Sequence, residues 1–230
     1  MIFSIDTSSK SFSLALAKEN VEIVKEIFIN EDHWHSHMLI TQVELMFKNT
    51  PVEKITKIAC TTGPGSFTGI RVGLCFARTM AQIHKIPMAG ISTLDVLAQQ
   101  NDNKNPHATI CPIINAQQEN IYLSTYKHEK GKTLQTSGYS IININTLNKY
   151  LDTIKVNKKN LIFCLHTETI KHKDLILKQF PDGLIITDEK TTLPRASTLA
   201  LLSTYYKGSS YQKVKPLYIQ PPRIHQTPKK

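Results

Sequence analysis

Thr62-Gly63-Pro64-Gly65-Ser66-Phe67-Thr68-Gly69-Ile70-Arg71-Val72-Gly73-Leu74 is the stretch on which the reading of the fold turns. Residues 55–61 before it are an apolar strand run, and residues 66–85 read as one long helix. Glycines 63 and 65 let the chain leave the strand in conformations closed to other residues. Ser66 is placed to cap the helix by accepting from a backbone N–H two or three residues on. The loop lacks the Gly-Lys-Ser/Thr ending of a Walker A loop and the third glycine of a dinucleotide fingerprint. It is not a hydrolase elbow either, because Pro64 stands two before Ser66. Gly63, Pro64, Gly65 and Ser66 are therefore expected to form a structural turn between a strand and a helix, with an anion-holding loop at the helix N-terminus as the alternative.

Upstream, residues 1–6 read as a buried strand that ends in the polar Asp6-Thr7-Ser8-Ser9 turn. Residues 11–17 and 21–29 alternate as two further strands around Lys18-Glu19-Asn20. Trp34, Met38, Leu39, Val43, Met46 and Phe47 then fall at helical spacing. Downstream, residues 87–91 make a strand and residues 93–100 begin a helix. Residues 101–107 (NDNKNPH) form a polar linker. Beyond it the pattern restarts with strands at 109–114, 120–126, 161–165 and 184–187 and a last helix over 194–206. The order β-β-β-α-β-α-β, clear once and faint the second time, predicts a duplicated mixed-sheet α/β fold. Its expected units are residues 1–102, residues 103–220 and a basic tail over 221–230.

The chain has 230 residues, 28 Lys+Arg against 18 Asp+Glu, and 40% hydrophobic residues, an ordinary globular composition. No apolar run approaches the ~20 residues that span a bilayer. The start, Met1-Ile2-Phe3-Ser4-Ile5-Asp6, lacks the basic end of a signal peptide, so a cytoplasmic location is expected. Residues 207–230 hold six basic residues and no acid. Such an end either contacts a polyanion, releasing counterions, or is a solvated tail. Cys60, Cys75, Cys111 and Cys164 have no paired spacing, so they read as small buried hydrophobes rather than disulfides or zinc ligands. Apart from Asp32, no carboxylate or cysteine is placed to complete a metal site with His33, His35 and His37, which read as a polar helix entry.

Gly69, Gly73, Ala77 and Ala81 recur every four residues and make a stripe with almost no side chain. A stripe of this kind admits another backbone inside the usual interaxial distance of ~8–10 Å. The close neighbour is either the chain's own helix from Trp34 or a helix of another subunit. Phe67, Ile70, Leu74, Phe76 and Met80, with Ile40 and Leu45 on the earlier helix, widen the apolar belt and favour the second. The expected interface residues are Trp34, Met38, Leu45, Gly69, Ile70, Gly73, Phe76, Ala77, Met80 and Ala81.

Three blocks carry a resemblance. They are Ile5-Asp6-Thr7-Ser8 with Ser13-Leu14-Ala15-Leu16, the Gly63–Gly73 run, and Pro87-Met88-Ala89-Gly90-Ile91-Ser92-Thr93-Leu94. Together they are similar to the bacterial TsaB (YeaZ) family over about residues 1–100. Asn115-Ala116 before Ile121-Tyr122, and Pro216-Leu217-Tyr218-Ile219, continue the likeness more thinly. The resemblance implies the duplicated actin/Hsp70-like (ribonuclease H-like) architecture with two subdomains. It implies a scaffold with no catalytic residue, cofactor or metal. Its partners would be a TsaD-type catalytic subunit and a TsaE-type ATPase, with tRNA reached through the complex and a homodimer formed by the isolated chain. The reaction served would be threonylcarbamoyladenosine formation at adenosine 37 of tRNAs that read codons beginning with adenine. Where the catalytic sibling carries a His-x-x-x-His metal pair, this chain has Thr93 and Leu97, and it contains no Gly-Gly dipeptide. The chain also departs from the family, with Asn115-Ala116-Gln117 and Asn120 where many members carry two carboxylates and a cation. A metallopeptidase or an actin-like ATPase acting alone is the rival reading, and the missing metal pair and adenosine glycines argue against it.

Overall fold

The computed structural model describes residues 1–30, 36–102 and 105–219. Its first sheet begins with β1 (Ile2–Asp6), β2 (Ser11–Ala17) and β3 (Ile23–Asn30), antiparallel neighbours in chain order. After α1 (Ser36–Phe47), β4 (Lys57–Thr61) enters parallel to β1. After α2 (Phe67–His84), β5 (Met88–Ile91) enters parallel to β4. The strand order is β3-β2-β1-β4-β5. Every residue of β1 and β2 is buried, so the alternation along residues 11–17 is between large and small side chains rather than between buried and exposed ones. Helices α1 and α2 cover one face of this sheet.

The chain passes through α3 (Thr93–Gln100) into the second sheet. Here β6 (Thr109–Asn115) and β7 (Asn120–Leu123) are antiparallel. A hairpin of β8 (Tyr126–Glu129) and β9 (Lys132–Gln135) leaves the path, and β10 (Ser140–Asn143) returns beside β7. Then come α4 (Leu147–Thr153), β11 (Leu161–Leu165), α5 (Lys173–Gln179) and β12 (Leu184–Ile186), with both strands parallel to β6 or its neighbour. The order β10-β7-β6-β11-β12 repeats that of the first sheet position by position. This is the duplicated mixed-sheet fold that the sequence predicts, with β8–β9 as an insertion. The run 120–126, expected as one strand, is split at Ser124-Thr125. Ser124 Oγ donates to Ser137 O and Thr125 N–H donates to Ser137 Oγ, which turns the chain out of the sheet.

The last two elements are α6 (Glu189–Thr192) and α7 (Ala196–Ser203), and α7 corrects the expected boundary. The helix α7 packs on β1 and β2, not on its own half. Two buried strand serines dock it: Ser4 Oγ donates to Ala196 O at 2.7 Å, and Ala196 N–H donates to Ser13 Oγ at 2.9 Å. The chain beyond stays with the first sheet. Ser209 and Met88 exchange backbone hydrogen bonds, Val214 joins the first core, and Leu217 N–H donates to Thr62 O. Conversely, α3 buries Leu94, Leu97 and Ala98 against Ile110, Tyr126 and Cys164 of the second half. Each half thus supplies a helix to the other, and residues 196–217 belong spatially to the first. The tail 221–230 lies outside the described residues. At the seam, hydroxyls of Tyr126, Tyr139 and Tyr206 converge on the Asp95 carboxylate at 2.7, 2.9 and 3.2 Å.

Candidate interface site

The Gly63–Ser66 turn sits where the sequence places it, at the end of β4. Ser66 Oγ accepts from Gly69 N–H at 3.2 Å and caps α2. The loop closes directly over the Asp6–Ser9 turn at the end of β1. Ser66 N–H donates to Ser8 O at 2.7 Å, and a Cβ on Gly65 would stand 2.1 Å from that same oxygen. Thr7 Oγ1 donates to Gly69 O at 2.7 Å. Asp6 Oδ1 accepts from the hydroxyls of Ser8, at 2.6 Å, and Thr61, at 2.7 Å. The second carboxylate oxygen of Asp6 is buried without a partner among the described residues. Full burial pushes this carboxyl up to about 6, against which the Ser8 and Thr61 hydrogen bonds act more weakly. The hydroxyls of Thr7, Ser8 and Thr61 are all spent on acceptors within the chain, so this turn offers none of them to an outside phosphate.

The helix α2 has two chemically distinct faces. Gly69, Ile70, Gly73, Leu74, Ala77 and Ala81 are its buried residues. Gly69 and Gly73 face the β1–β2 turn: Cβ atoms there would meet Thr7 O at 2.0 Å and Thr7 Oγ1 at 2.2 Å. The glycine half of the stripe is therefore filled by Thr7 of the same chain, and Ala77 and Ala81 are buried in the first core. This corrects the expectation that Gly69, Ile70, Gly73, Ala77 and Ala81 lie at a subunit interface. The periodicity was sound, but the close neighbour is a strand end rather than a helix. Phe76 and Met80 are half-buried against the same core, with the Phe76 ring edge-on to Phe3 at 6.5 Å. Met38 is half-buried, Leu45 is exposed, and Trp34 lies outside the described residues, as do His33 and His35.

The opposite face is open. Phe67 is 53% exposed, Ile40 52% and Ile83 67%. Between α1 and α2 runs a groove of about 550 Å³ lined by Leu39, Ile40, Phe67, Arg71, Val72, Cys75 and Phe76 among others. The Arg71 guanidinium lies over the Phe67 ring at 3.7 Å and donates to Tyr218 Oη at 3.3 Å. The Tyr218 ring stands 6.1 Å from that of Phe67, so Tyr218 is pinned to the start of α2. Ile40 and Phe67 were visible in the sequence as apolar residues beyond one face. Arg71, Cys75 and Tyr218 were missed, although Phe67, Arg71 and Cys75 stand four apart as an outward stripe. Cys75 is exposed, which corrects its reading as a buried hydrophobe. Cys60, Cys111 and Cys164 are buried as expected.

No group of three or more His, Cys, Asp or Glu side chains gathers at metal-binding distance among the described residues. Thr93 and Leu97 are both buried in α3. No helix of the described residues is long and apolar enough to cross a membrane.

A family model described as "TsaD: tRNA N6-adenosine threonylcarbamoyltransferase" matches residues 22–214. The "tRNA threonylcarbamoyladenosine biosynthesis protein TsaB" of Buchnera aphidicola subsp. Schizaphis graminum is 30% identical over 162 residues, 70% of this chain and 76% of that protein. The chain belongs to the TsaB family. The TsaB protein of Bacillus subtilis (strain 168) is 26% identical over 220 residues, 95% of this chain and 93% of its own. The solved structure of YeaZ from Pseudomonas aeruginosa shares the fold, with a TM-score of 0.75 at 18% identity over 94% of this chain and 98% of that one. For a TsaB-family chain the match to the transferase model begins only after β2, so the Asp6–Ser9 turn falls outside it.

Proposed function

We propose that this chain is the non-catalytic subunit that supports a TsaD-type enzyme in making threonylcarbamoyladenosine on tRNA. The observation that carries the reading is the destination of the Ser66 N–H. In a chain built to hold nucleotide, the loop and the β1 turn would present donors to phosphate. Here Ser66 donates to Ser8 O, and the Thr7, Ser8 and Thr61 hydroxyls donate to Gly69 O and Asp6. A metallopeptidase acting alone would also need ligands where buried Thr93 and Leu97 stand.

The docking surface is the outer face of α1 and α2, with Ile40, Leu45, Phe67 and the groove beside Arg71 at its centre. Exposed apolar side chains around a groove are what a protein partner covers. The isolated chain pairs with itself through the same face. A TsaE-type ATPase joins the assembly, tRNA is reached through it, and the chain itself needs no cofactor or metal. The location is cytoplasmic, with the tRNA.

Reconstitution tests this. The chain, the TsaD-type subunit and the TsaE-type ATPase are combined with tRNA, ATP and threonylcarbamoyl donor. Modification should collapse when this chain is left out, and modification that proceeds undiminished without it overturns the reading.

A further inference from the structure

The repeated strand order makes α4 and α5 the counterparts of α1 and α2, since each pair flanks the fourth strand of its sheet. Their inner faces match in kind: Leu147, Leu151 and Ile176 pack on Cys111, Leu161 and Phe163. Their outer faces do not. On α1 and α2 large apolar side chains are exposed, whereas none of the exposed large hydrophobics lies on α4 or α5. Lysines take their place.

The charge divides the same way. Residues 1–102 hold nine basic and ten acidic residues, whereas residues 103–206 hold 13 basic and eight acidic. Lys149, Lys155, Lys159 and Lys178 are exposed on or beside α4 and α5. Two contacts tie together the segments that carry them. Asn148 N–H donates to Gln179 Oε1 at 3.1 Å, which sets the start of α4, where Lys149 stands, against the end of α5, where Lys178 stands. Lys158 reaches back to Asn148 and pairs with Asp152, folding the 155–160 loop onto α4. Asp152 is thereby occupied, and no ion pair found among the described residues engages Lys149, Lys155, Lys159 or Lys178.

The geometry points to the α4–α5 face as a docking surface for the phosphate backbone of RNA. Several exposed lysines without an ion-pair partner, on α4, α5 and the loop after α4, neutralise phosphates and release counterions without reading sequence. A surface of that kind suits a subunit that must serve several tRNAs. The duplication has thus given one position in the fold two chemistries, an apolar face for protein and a cationic one for nucleic acid. This inference rests on the tRNA role proposed above.

The test compares three forms of the full chain, each assembled with the TsaD-type subunit and titrated with tRNA from about 50 to 200 mM salt. They are the wild type, a Lys149→Glu/Lys155→Glu/Lys159→Glu variant, and a Lys207→Glu/Lys213→Glu/Lys215→Glu variant. The first variant should melt as the wild type does and bind tRNA about tenfold or more weakly at the lowest salt. Its log–log salt slope should fall by roughly 2–3, because each lost phosphate contact removes about 0.7–0.9. The second variant should keep most of the slope. Unchanged affinity and slope in the first variant make the lysines a solvated face and overturn the proposal, as does a loss confined to the second. Loss of binding to phosphatidylserine vesicles with tRNA affinity intact overturns it too. Modification that still requires the chain in those cases leaves the subunit role standing, whereas modification indifferent to the chain removes that role itself.

Discussion

Gly73 and Thr7 touch so closely that a Cβ on the glycine would stand 2.2 Å from the threonine hydroxyl oxygen. That hydroxyl is held in place by its own hydrogen bond to Gly69 O. A side chain at 73 therefore strikes the first strand's turn inside the subunit. Gly73→Leu should cost ~3 kcal/mol or more of folding free energy, at the upper end of overpacking penalties. For a chain of this size that lowers the melting temperature by about 6–12 °C. In Gly73→Ala the clash is with one hydroxyl, so adding Thr7→Ala should recover part of the loss. Denaturant titration of the two single variants and the double variant measures that coupling. Additive losses would mean that the two side chains do not meet.

The succession of strands and helices along the chain, the Ser66 cap and both long helices of the first half were legible because each rests on local chemistry. Apolar runs, turn glycines and helical spacing are written in consecutive residues. The facing partner of the small-residue stripe was not legible, because nothing near Gly73 in sequence points to Thr7, 66 residues away. The crossing of α7 to the first sheet was hidden for the same reason. Its clue lies in Ser4 and Ser13, polar residues inside otherwise apolar strands, whose bonds to Ala196 appear only in three dimensions.

Asp6 should make stability depend on pH in a direction opposite to most carboxylates. Its folded value is about 6 against 3.8 for the free group. A raised carboxyl penalises folding above its folded pKa, and the penalty is relieved as pH falls from about 6 to about 4. The full difference is on the order of 3 kcal/mol. Asp6→Asn should remove it, leaving the variant at least as stable as wild type at pH 8 and flatter between pH 4 and 7. A wild-type-minus-variant stability curve without a slope in that window would refute the burial argument.

His166 works the other way over nearly the same window. Burial lowers its value from 6.5 to about 4, so stability present above pH 6.5 is lost as pH falls toward 4. His166→Gln should therefore lessen acid sensitivity below pH 6, read as a denaturation midpoint that falls less steeply from pH 6.5 to 4.5. A steeper fall than wild type would contradict it.

The open face of α1 and α2 should carry association without carrying the fold. Phe67→Glu and Ile40→Asp each place a charge where an apolar side chain is half or more exposed. Their melting temperatures should stay within about 2 °C of wild type, as surface changes usually do. Affinity for the TsaD-type subunit, and for a second copy, should fall by tenfold or more, equivalent to about 1.4 kcal/mol. Sedimentation and co-purification at wild-type levels in both variants would move the interface elsewhere.

Cys75 supplies a chemical reporter for that face. Cys60 and Cys111 are buried with thiols pushed up to about 12, and Cys164 is buried with its thiol raised too. A maleimide should thus label one thiol per native chain and four after unfolding. Bound TsaD-type subunit should slow the native labelling severalfold. Labelling of Cys75 at the same rate in the complex would mean that the groove stays uncovered.

The exchange of α3 and α7 between the halves has a consequence for how the chain is made. During synthesis β1 and β2 leave the ribosome first, yet the helix that covers one face of their sheet is encoded about 180 residues later. Strands that are buried on both faces when finished must wait half-covered through most of translation. A shortened chain that ends before Ala196 would accordingly harm its oldest part rather than its newest, leaving the front of the molecule without a back wall.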